Sequence, residues 1–505
     1  MIAGCFSYIT HTNDSVYVAS VVIAPLFLAL WYVTVGGADA RGARASVLTV
    51  VLSGIIIQGL GAAQWWSMLG FFPGAVAVNF TYHVAIGVLF SVVAHAVTGG
   101  RTATLRVIGF ASAWVVAGLL GGTFEGGYPL FLSASWIPHP VFVQLLALGG
   151  PWLLDGVIAA LGALLGEILL TVCRLHPTGQ TAPRITACAG SILATLLTIV
   201  LVGALRLQLG PVQVVAASDA ASAEAQPVVM IQGSVPGWMQ RSTARWRRLG
   251  DLSAGVYRSL VTEQTSWLAE QRSPWLILPE SVVYAILPPG EDTWNVVSSI
   301  TGRAVPETVY MTTVSVASGA SDRRARYRFL VGEGSPDGRI SAVAESSKSV
   351  LTPFADKAYE DSTETPPLLK VGERVVGAMV CWDALFTTLG NRLALAGADV
   401  LVVTANTASG WRPDVSDIHS RMARMRAVET GIPLVFVTQG GPSVISDGFG
   451  RAVVDLPVGA QGAAHAWIEP KTLWTPYRHM GRLWWLMALG CLVWCRWRTS
   501  MDATA

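Results

Sequence analysis

Two patterns of hydrophobic and polar positions divide the chain. In the first 210 residues, apolar runs of about 20 residues recur between short polar breaks, and a run of that length can span a bilayer as a helix. The stretch 139–150 is expected to be half-buried or re-entrant, and no basic segment precedes the first run, so no cleaved signal peptide is predicted. The predicted spans lie near 15–36, 46–66, 74–98, 106–122, 149–173, 185–207 and 480–496.

A different pattern begins after a small, polar segment at 211–226, which is typical of a linker. Short Val/Ile-rich runs bounded by Gly, Pro or Asp alternate with longer helical patterns, which predicts an α/β domain. The polar stretch 355–374 is expected to be an exposed loop. Strands are predicted at 227–232, 274–279, 308–316, 326–331, 375–380, 398–405, 432–438 and 464–468, and helices at 241–269, 384–397 and 415–430.

These patterns predict four regions. Residues 1–210 form a polytopic membrane domain of about six spans, 211–226 a linker, 227–479 a globular domain, and 480–505 a final span with its tail. Several polar residues fall within or near the spans, and for the carboxylates a local structural role and a functional role both stay open, because intramembrane charges are costly. These residues are Gln58, Asn79, His83, His95, Asp155 and Glu167.

The arginines of the short loops predict the orientation, since cytoplasmic loops are enriched in basic residues. Arginines follow the first, third and fifth predicted spans, whereas 67–73 and 123–148 contain no Lys or Arg. Odd-numbered spans should therefore end in the cytoplasm, which places residues 208–479 outside it and the last tail inside. The arginines used are Arg41, Arg44, Arg101, Arg106, Arg174, Arg184, Arg496 and Arg498.

The composition supports a membrane protein and excludes other classes. The chain is 52% hydrophobic and 13% charged, with a mean hydropathy of +0.50, which is too apolar for an ordinary soluble protein of this size. The net charge of +2 and the absence of a basic stripe give no indication of nucleic-acid binding. Six thinly spread cysteines imply no disulfide framework.

Three residues of the globular region carry the candidate chemistry. Cys381, the only cysteine between Cys188 and Cys491, follows the apolar run 375–380. Glu280 follows the apolar run 275–279, and Lys348 is one of four lysines in the chain. A lone Cys is by itself more often a small packing residue than a nucleophile. The order of the three residues and the strand-end position of Glu280 and Cys381 favour a thiolate enzyme.

Each residue has a role in such an enzyme and a plain structural alternative. Glu280 can accept the thiol proton, and a helix starting at Cys381 should favour its thiolate. Lys348 can stabilise the thiolate and an oxyanion, with Asp356 as its candidate partner. Alternatively, Glu280 caps a helix, Lys348 is a solvated loop charge, and Asp383 is only a helix N-terminal acid. Together, the residues favour function over these alternatives.

Several segments resemble the nitrilase superfamily and, within it, the apolipoprotein N-acyltransferase family. The resemblance covers nearly the whole chain, and its most specific part is the run HSRMARMRAVE at 419–429. The other segments are LPE at 278–280, KSVLTPFAD at 348–356, CWD at 381–383, Asn406, IQGSVP at 231–236, GGPW at 149–152 and TPY at 475–477.

The chain departs from the family's usual motifs at a few positions near the triad. Asp356 and Asp383 stand where the family usually has Glu, so both acids keep their charge but are one methylene shorter. Ser346 stands two residues before Lys348, where the family often has Tyr. The segment Asn406 to Trp411 is also only loosely similar to the family's.

The resemblance implies a multi-span α-helical membrane domain plus a nitrilase-like four-layer (αββα) sandwich. It implies an N-acyltransferase that moves an acyl chain from a membrane phospholipid, through a Cys381 thioester, to the amine of a diacylglyceryl-cysteine lipoprotein. No metal or organic cofactor is expected. The implied location is the bacterial inner membrane, with the catalytic domain on the periplasmic side and the active site open toward the bilayer, and we expect a monomer.

The resemblance also implies the role of each site residue. Glu280 would be the proton acceptor, Lys348 the stabiliser of thiolate and oxyanion, and Cys381 the nucleophile. Supporting positions are Asp356, Trp382, Asp383 and Asn406. Trp238 and Trp246 would contact lipid or substrate, with interfacial anchoring as the alternative.

Two other functions are compatible with these residues. A membrane-bound amidase or other C–N hydrolase would use the same triad, although a soluble hydrolase needs at most one anchor. A divergent, non-catalytic relative, for example in conjugal transfer, would retain the fold without the reaction. Retention of Glu280, Lys348 and Cys381 favours an enzyme.

Overall fold

The structure is a computed structural model of the chain, which divides into two units. One unit comprises residues 1–209 and 479–505, and the other comprises residues 210–478. The described residues are 17–36, 51–52, 55, 73–98, 102–123, 132–173, 181–217, 221–235, 243–283, 286–318, 324–352, 356, 359, 368–407, 413–469, 471–481 and 483–504.

The helices and strands are numbered here along the chain. The helices are α1 (Tyr17–Gly36), α2 (Pro73–Thr98), α3 (Ala103–Thr123), α4 (Pro140–Val143), α5 (Leu146–Val172), α6 (Thr181–Leu209), α7 (Thr243–Glu270), α8 (Thr293–Thr301), α9 (Thr387–Leu395), α10 (Pro413–Thr430), α11 (Pro476–Met480) and α12 (Leu483–Thr504), with 3₁₀ turns at Leu132–Trp136 and Cys381–Leu385. The strands are β1 (Val214–Val215), β2 (Gln226–Gln232), β3 (Trp275–Glu280), β4 (Ile286–Leu287), β5 (Val309–Ala317), β6 (Ala325–Gly334), β7 (Ile340–Ser347), β8 (Leu368–Val371), β9 (Arg374–Val380), β10 (Val400–Ala405), β11 (Leu434–Thr438), β12 (Ser443–Ser446), β13 (Ala452–Leu456) and β14 (Gly462–Ile468).

The first unit is a helical bundle of apolar helices. Within the described part of the chain, three helical segments are long and apolar enough to cross a membrane: Ala103–Leu120, Leu146–Val172 and Pro183–Leu209. Helices α1, α2 and α12 coincide with three further predicted spans, whereas most of the predicted span 46–66 lies outside the described residues. Helix α5 kinks at Gly150, which has a φ of 63° and directly precedes Pro151. The stretch 139–150 therefore contains α4 and the start of the long helix α5.

The two intramembrane carboxylates are both satisfied inside this unit. Glu167 on α5 is fully buried and accepts two hydrogen bonds of 2.7 Å from the guanidinium of Arg106, while Arg184 lies 3.4 Å away and Tyr32 donates its hydroxyl. Arg106 and Arg184, predicted to lie in loops, are thus in the first turns of α3 and α6 and bind a buried acid. Because a buried charge is costly unless it is paired, this cluster stabilises the packing of helices α1, α3, α5 and α6.

Asp155, also on α5, has a separate structural role. Its two carboxylate oxygens accept the backbone N–H groups of Leu132 at 3.0 Å and Ser133 at 2.8 Å. These N–H groups begin the 3₁₀ turn Leu132–Trp136 and would otherwise lack a partner. Asp155 therefore anchors this turn to α5, which is the local-pairing role that the sequence left open.

The second unit consists of two sheets that pack face to face. The larger sheet has the strand order β1-β14-β2-β3-β5-β6-β7, with β4 paired to β5, and the smaller has the order β13-β12-β11-β10-β9-β8. Helices α7 and α8 cover the outer face of the larger sheet, and α9 and α10 cover the smaller one. Thr313 on β5 and Thr404 on β10 meet at 2.6 Å between the sheets. The predicted four-layer αββα sandwich is confirmed.

The predicted strands and helices of this unit match observed elements closely, with differences in several short segments. The helix predicted at 384–397 begins as the 3₁₀ turn Cys381–Leu385, and the predicted loop 355–374 contains β8. The segment predicted as a linker also differs, because Val214 and Val215 pair with Trp467 and Ile468 as an edge strand. The strands β4, β7, β12 and β13 and helix α8 are not predicted by the sequence pattern.

Candidate active site

The structure brings the three predicted catalytic side chains together in the second unit. Glu280 is the last residue of β3, Lys348 directly follows β7, and Cys381 directly follows β9. Strands β3 and β7 belong to the larger sheet and β9 belongs to the smaller one, so the site draws on both layers of the sandwich. All three side chains are almost completely buried, with relative exposures of 4%, 3% and 6%. Residues about 100 positions apart thus form one enclosed polar cluster.

Glu280 is placed to exchange a proton with Cys381. Its carboxylate accepts the backbone N–H of Asn406 at 3.1 Å, and it lies close enough to Cys381 for its negative charge to raise the pKa of that thiol. Burial raises the pKa of Glu280 to about 7, against the lowering effect of the Lys348 ammonium. A carboxyl group with a pKa near neutrality can both accept and return a proton. Asn406, a predicted supporting residue, therefore acts here through its backbone.

Cys381 occupies a constrained turn between strand and helix. Its φ of 49° is in the left-handed region, which residues other than Gly seldom adopt, and the 3₁₀ turn Cys381–Leu385 starts there. Its carbonyl accepts a hydrogen bond from Nε2 of His419 at 2.9 Å. Because burial lowers the pKa of His419 to about 4, the ring is neutral and donates this bond. Strained backbone at a site persists only where its surroundings enforce it.

The protonation state of Cys381 differs from the sequence expectation. A helix start was expected to favour the thiolate. Burial instead raises the pKa of the thiol well above its usual value, and the negative charge of Glu280 adds to this, outweighing the opposing effect of Lys348. The helical turn after Cys381 is short, so its dipole is too weak to offset desolvation. At rest, the Cys381 side chain is therefore a thiol.

Lys348 is held as a cation beside this thiol. Its Nζ donates to Oδ2 of Asp356 at 2.8 Å and to Oγ1 of Thr352 at 3.2 Å. Burial alone would lower the pKa of Lys348, but the negative charges of the carboxylates, above all that of Asp356, outweigh burial and raise it overall. Asp356 thus lies where the sequence predicted a partner for Lys348. A fixed ammonium in a buried site can stabilise negative charge that develops during a reaction.

Asp383 joins the lysine segment to the cysteine segment. Its carboxylate accepts the backbone N–H groups of Ser349 and Val350, which follow Lys348, and that of Val380, which precedes Cys381, at 2.7–3.2 Å. Burial raises the pKa of Asp383 to about 6, against the effect of these N–H donors. This one side chain therefore fixes the separation of Lys348 and Cys381.

We expect Asp383→Asn to slow acylation of Cys381 at least tenfold and to lower the unfolding free energy by about 1–3 kcal/mol, because an amide leaves a buried N–H without an acceptor. Asp399→Asn is a matched control, since Asp399 accepts the N–H of Val375 at the opposite end of the same strand, at 2.9 Å. Comparable slowing in both variants would contradict a specific role of Asp383.

The acylation rate should also depend on pH. Glu280 accepts a proton only when it is ionised, and its raised pKa of about 7 means that the base is lost below neutrality. We therefore expect the rate to rise with pH through about 7 and then level off. Single-turnover acylation measured across this range checks the expectation, and a rate independent of pH would contradict the assignment of Glu280 as the base.

The remaining predicted positions are only partly described. Trp382 is buried next to Cys381. Trp238 lies outside the described residues, and Trp246 belongs to α7 but its side chain lies outside them as well. Their predicted contact with lipid stays a prediction.

The sequence did not identify Tyr327, which lies against Lys348. The Nζ of Lys348 is 4.5 Å from the centre of the Tyr327 ring, and the Tyr327 hydroxyl donates to Oδ1 of Asp356 at 3.0 Å. Tyr327 lies in a predicted strand, but the pairing that brings it to Lys348 is a long-range feature. Within the described part of the chain, no group of three or more His, Cys, Asp or Glu side chains forms a metal site.

Comparisons with known proteins identify related chains. The carbon-nitrogen hydrolase family model matches residues 296–473, a range that includes Lys348 and Cys381. The apolipoprotein N-acyltransferase of Pseudomonas aeruginosa is 26% identical over 400 residues, which cover 76% of this chain and 71% of the relative. The apolipoprotein N-acyltransferase of Pseudomonas putida is 24% identical over 410 residues, covering 77% and 73%.

Solved structures of the nitrilase superfamily are also similar to this chain. Nit3 of Saccharomyces cerevisiae is 14% identical, with a TM-score of 0.39, and the match covers 50% of this chain and 94% of that one. An amidase from Nesterenkonia is 16% identical, with a TM-score of 0.39, and the match covers 53% and 100%.

Proposed function

We propose that this chain, which belongs to the apolipoprotein N-acyltransferase family, transfers a fatty acyl group from a membrane phospholipid to the N-terminal amine of a diacylglyceryl-cysteine lipoprotein. The acyl group is carried as a thioester on Cys381. A covalent nucleophile divides one difficult transfer into two easier steps. The observation that supports this reaction best is the convergence of three buried side chains, Glu280, Cys381 and Lys348, with the Lys348 ammonium bound to Asp356 at 2.8 Å.

In the first step, the Cys381 sulfur attacks the ester carbonyl of the phospholipid while Glu280 accepts the thiol proton. The carbonyl oxygen becomes an oxyanion, and the ammonium of Lys348 stabilises it. When the tetrahedral intermediate collapses, the bond to the glycerol oxygen breaks and Glu280 returns the proton to that oxygen. A lysophospholipid leaves and an acyl thioester remains. The raised pKa of Glu280 suits both transfers, since a group near neutrality gains and loses a proton readily.

In the second step, the free amine of the lipoprotein attacks the thioester carbonyl. Glu280 takes a proton from the amine, and Lys348 again stabilises the oxyanion. The carbon–sulfur bond breaks, an amide forms, and Glu280 protonates the departing sulfur. The net result is an N-acylated lipoprotein and the original thiol, so neither an oxidant nor a reductant is consumed.

The arginine pattern of the loops supports the proposed orientation, in which residues 208–479 lie outside the cytoplasm in a bacterial inner membrane. The apolar helices of the first unit support residence in the membrane. A monomer is proposed because Glu280, Lys348 and Cys381 all come from one chain and already contact the groups that hold them.

The test is the complete reaction. Purified full-length protein is mixed with phosphatidylethanolamine vesicles and a synthetic diacylglyceryl-cysteine lipopeptide, and the lipopeptide mass is followed. We expect a gain of one acyl group that depends on time and on Cys381. The same lipopeptide with an acetylated amine is the matched acceptor control and should stay unchanged, because it lacks the attacking nitrogen.

The other outcomes separate the alternatives. Release of free fatty acid without lipopeptide acylation would contradict acyl transfer and favour a hydrolase. No acyl product of either kind, from protein that remains folded, would contradict an enzymatic function and favour a non-catalytic relative.

A further inference from the structure

A pair of stacked tyrosines borders the candidate active site. The rings of Tyr327 on β6 and Tyr359 lie 4.0 Å apart between centroids and are parallel within 7°. Tyr359 forms a bridge to Ala325 of β6, and its hydroxyl donates to Oγ of Ser315 at 3.0 Å. This stack holds the Tyr327 ring in one orientation, because Tyr359 is itself fixed to the sheet by Ala325 and Ser315.

Tyr327 makes three contacts with Lys348 and its counterion, Asp356. Its hydroxyl donates to Oδ1 of Asp356 at 3.0 Å, while Lys348 uses the other oxygen, Oδ2, at 2.8 Å. The ring face of Tyr327 lies 4.5 Å from the Lys348 ammonium. The backbone carbonyl of Tyr327 accepts the N–H of Lys348 at 3.2 Å. Tyr327 therefore contacts the Lys348 ammonium, the Asp356 carboxylate and the Lys348 backbone.

We propose that Tyr327 is a positioning residue, which fixes the Lys348 ammonium toward Cys381 by orienting the Asp356 carboxylate and by presenting its ring face. The catalytic meaning of this placement depends on the proposed function, in which Lys348 stabilises the thiolate and the oxyanion. Tyr327 itself exchanges no proton and forms no bond with substrate.

The contacts of Asp356 give the physical reason. Oδ2 accepts both the Lys348 ammonium and the backbone N–H of Thr352 at 2.7 Å, so it depends on one orientation of the carboxylate. Rotation about the carboxylate bond would move Oδ2 away from both donors. The Tyr327 hydroxyl holds Oδ1 and prevents that rotation. Lys has a long, flexible side chain, so the direction of its ammonium is set by such contacts rather than by its own stem.

The ring of Tyr327 makes a second contribution. A cation near an aromatic face is attracted by the ring quadrupole, and the attraction is larger where water is excluded. Lys348 is 3% exposed, so this contact is close to the desolvated limit. The ring face and the carboxylate thus hold the ammonium from two directions.

The test uses Tyr327→Phe and a matched control. Tyr327→Phe removes the bond to Asp356 but keeps the ring. Tyr310→Phe removes another buried tyrosine hydroxyl from the same sheet, one that accepts the N–H of Val305 at 2.8 Å and belongs to the outer core. Both variants should lose similar stability, which thermal unfolding of the full-length protein measures.

The discriminating readout is the reactivity of Cys381. Alkylation of this residue by iodoacetamide, followed by peptide mass spectrometry from about pH 5 to about pH 9, reports how well Lys348 favours the thiolate. We expect Tyr327→Phe to slow alkylation near neutrality by about tenfold and to move its pH profile upward, whereas Tyr310→Phe should match the wild type. The charged or titratable side chains around Cys381 and Lys348 are unchanged in both variants: Glu280, Asp356, Asp383, His419 and Tyr359.

A double variant tests whether Tyr327 acts through Lys348. In a Lys348→Met background, Tyr327→Phe should have no further effect on alkylation, since coupled residues are not additive. A wild-type profile for Tyr327→Phe, or an equal slowing in the Lys348→Met background, would overturn the proposal. Alkylation requires no lipid, so failure of phospholipid acylation in the wild type would count against the proposed function alone.

Discussion

Replacing Glu280 with Gln is expected to slow acylation of Cys381 by about 10³-fold, within the usual range for loss of a general base. Cys381 rests as a thiol because burial raises its pKa, so it depends on a neighbouring acceptor for its proton. Glu280 is the carboxylate whose charge acts on this thiol most strongly, and in the proposed mechanism it accepts the proton. An amide of the same shape keeps an acceptor for the Asn406 N–H but cannot take the proton.

The rate is measured in a single turnover with phosphatidylethanolamine vesicles. Glu345→Gln is the control, because Glu345 lies on β7 close to Lys348 but is exposed and pairs with Arg328. It should acylate at the wild-type rate. The rise of the rate through about pH 7 should also be absent from Glu280→Gln, since that rise reflects ionisation of the carboxyl group. Acylation of Glu280→Gln within about threefold of wild type would contradict a general-base role.

Replacing Lys348 with Met should impair both catalysis and stability. The substitution removes the charge that stabilises the oxyanion in the proposed mechanism, and loss of such a group typically costs about 10²–10³ in rate. It also leaves the Asp356 carboxylate, which is 6% exposed, without its cation. Breaking a buried ion pair on one side commonly lowers the unfolding free energy by about 3–5 kcal/mol. Single-turnover acylation and thermal unfolding of the full-length protein check the two effects.

The double variant Lys348→Met with Asp356→Asn separates these effects. Neutralising Asp356 removes the uncompensated charge, so the double variant should regain much of the lost stability. It should not regain activity, because the ammonium is still absent. If the double variant is as unstable as Lys348→Met, desolvation of Asp356 is not the cause. If Lys348→Met acylates at the wild-type rate, Lys348 does not stabilise the oxyanion.

The parts of the fold that the sequence predicts are those with strong local patterns. The strand before Glu280 and the strand before Cys381 are uninterrupted apolar runs, and they are indeed buried. Helix α10 was predicted at 415–430 and is observed at Pro413–Thr430. Burial and secondary structure at these positions follow from side chains that are close in sequence, so a local pattern is sufficient.

The parts that the sequence could not predict depend on distant contacts or on mixed polarity. Strand β7 is largely exposed and polar, because it is the edge strand of its sheet. Tyr327 reaches Lys348 only through the pairing of β6 with β7, and a period-two pattern does not specify which strands pair. The protonation state of Cys381 depends on complete burial, which the helix-start argument did not include.

In the membrane unit, the contacts between distant charged residues were likewise not predicted from the sequence. Arg106 and Arg184 follow predicted spans and were assigned to cytoplasmic loops, but they also bind Glu167, which lies on a third helix. The sequence could identify each charge but not their convergence. Residues near a helix end can therefore serve as an orientation signal and as packing partners at once.

The proposed reaction depends on Cys381 carrying the acyl group. The most direct measurement is the intact mass of the purified protein after incubation with phosphatidylethanolamine vesicles, with Cys381→Ala as the control. We expect a mass increase of one acyl chain on the wild type alone, which hydroxylamine removes because it cleaves thioesters. An unmodified mass in folded wild-type protein, or an equal adduct on Cys381→Ala, would contradict it.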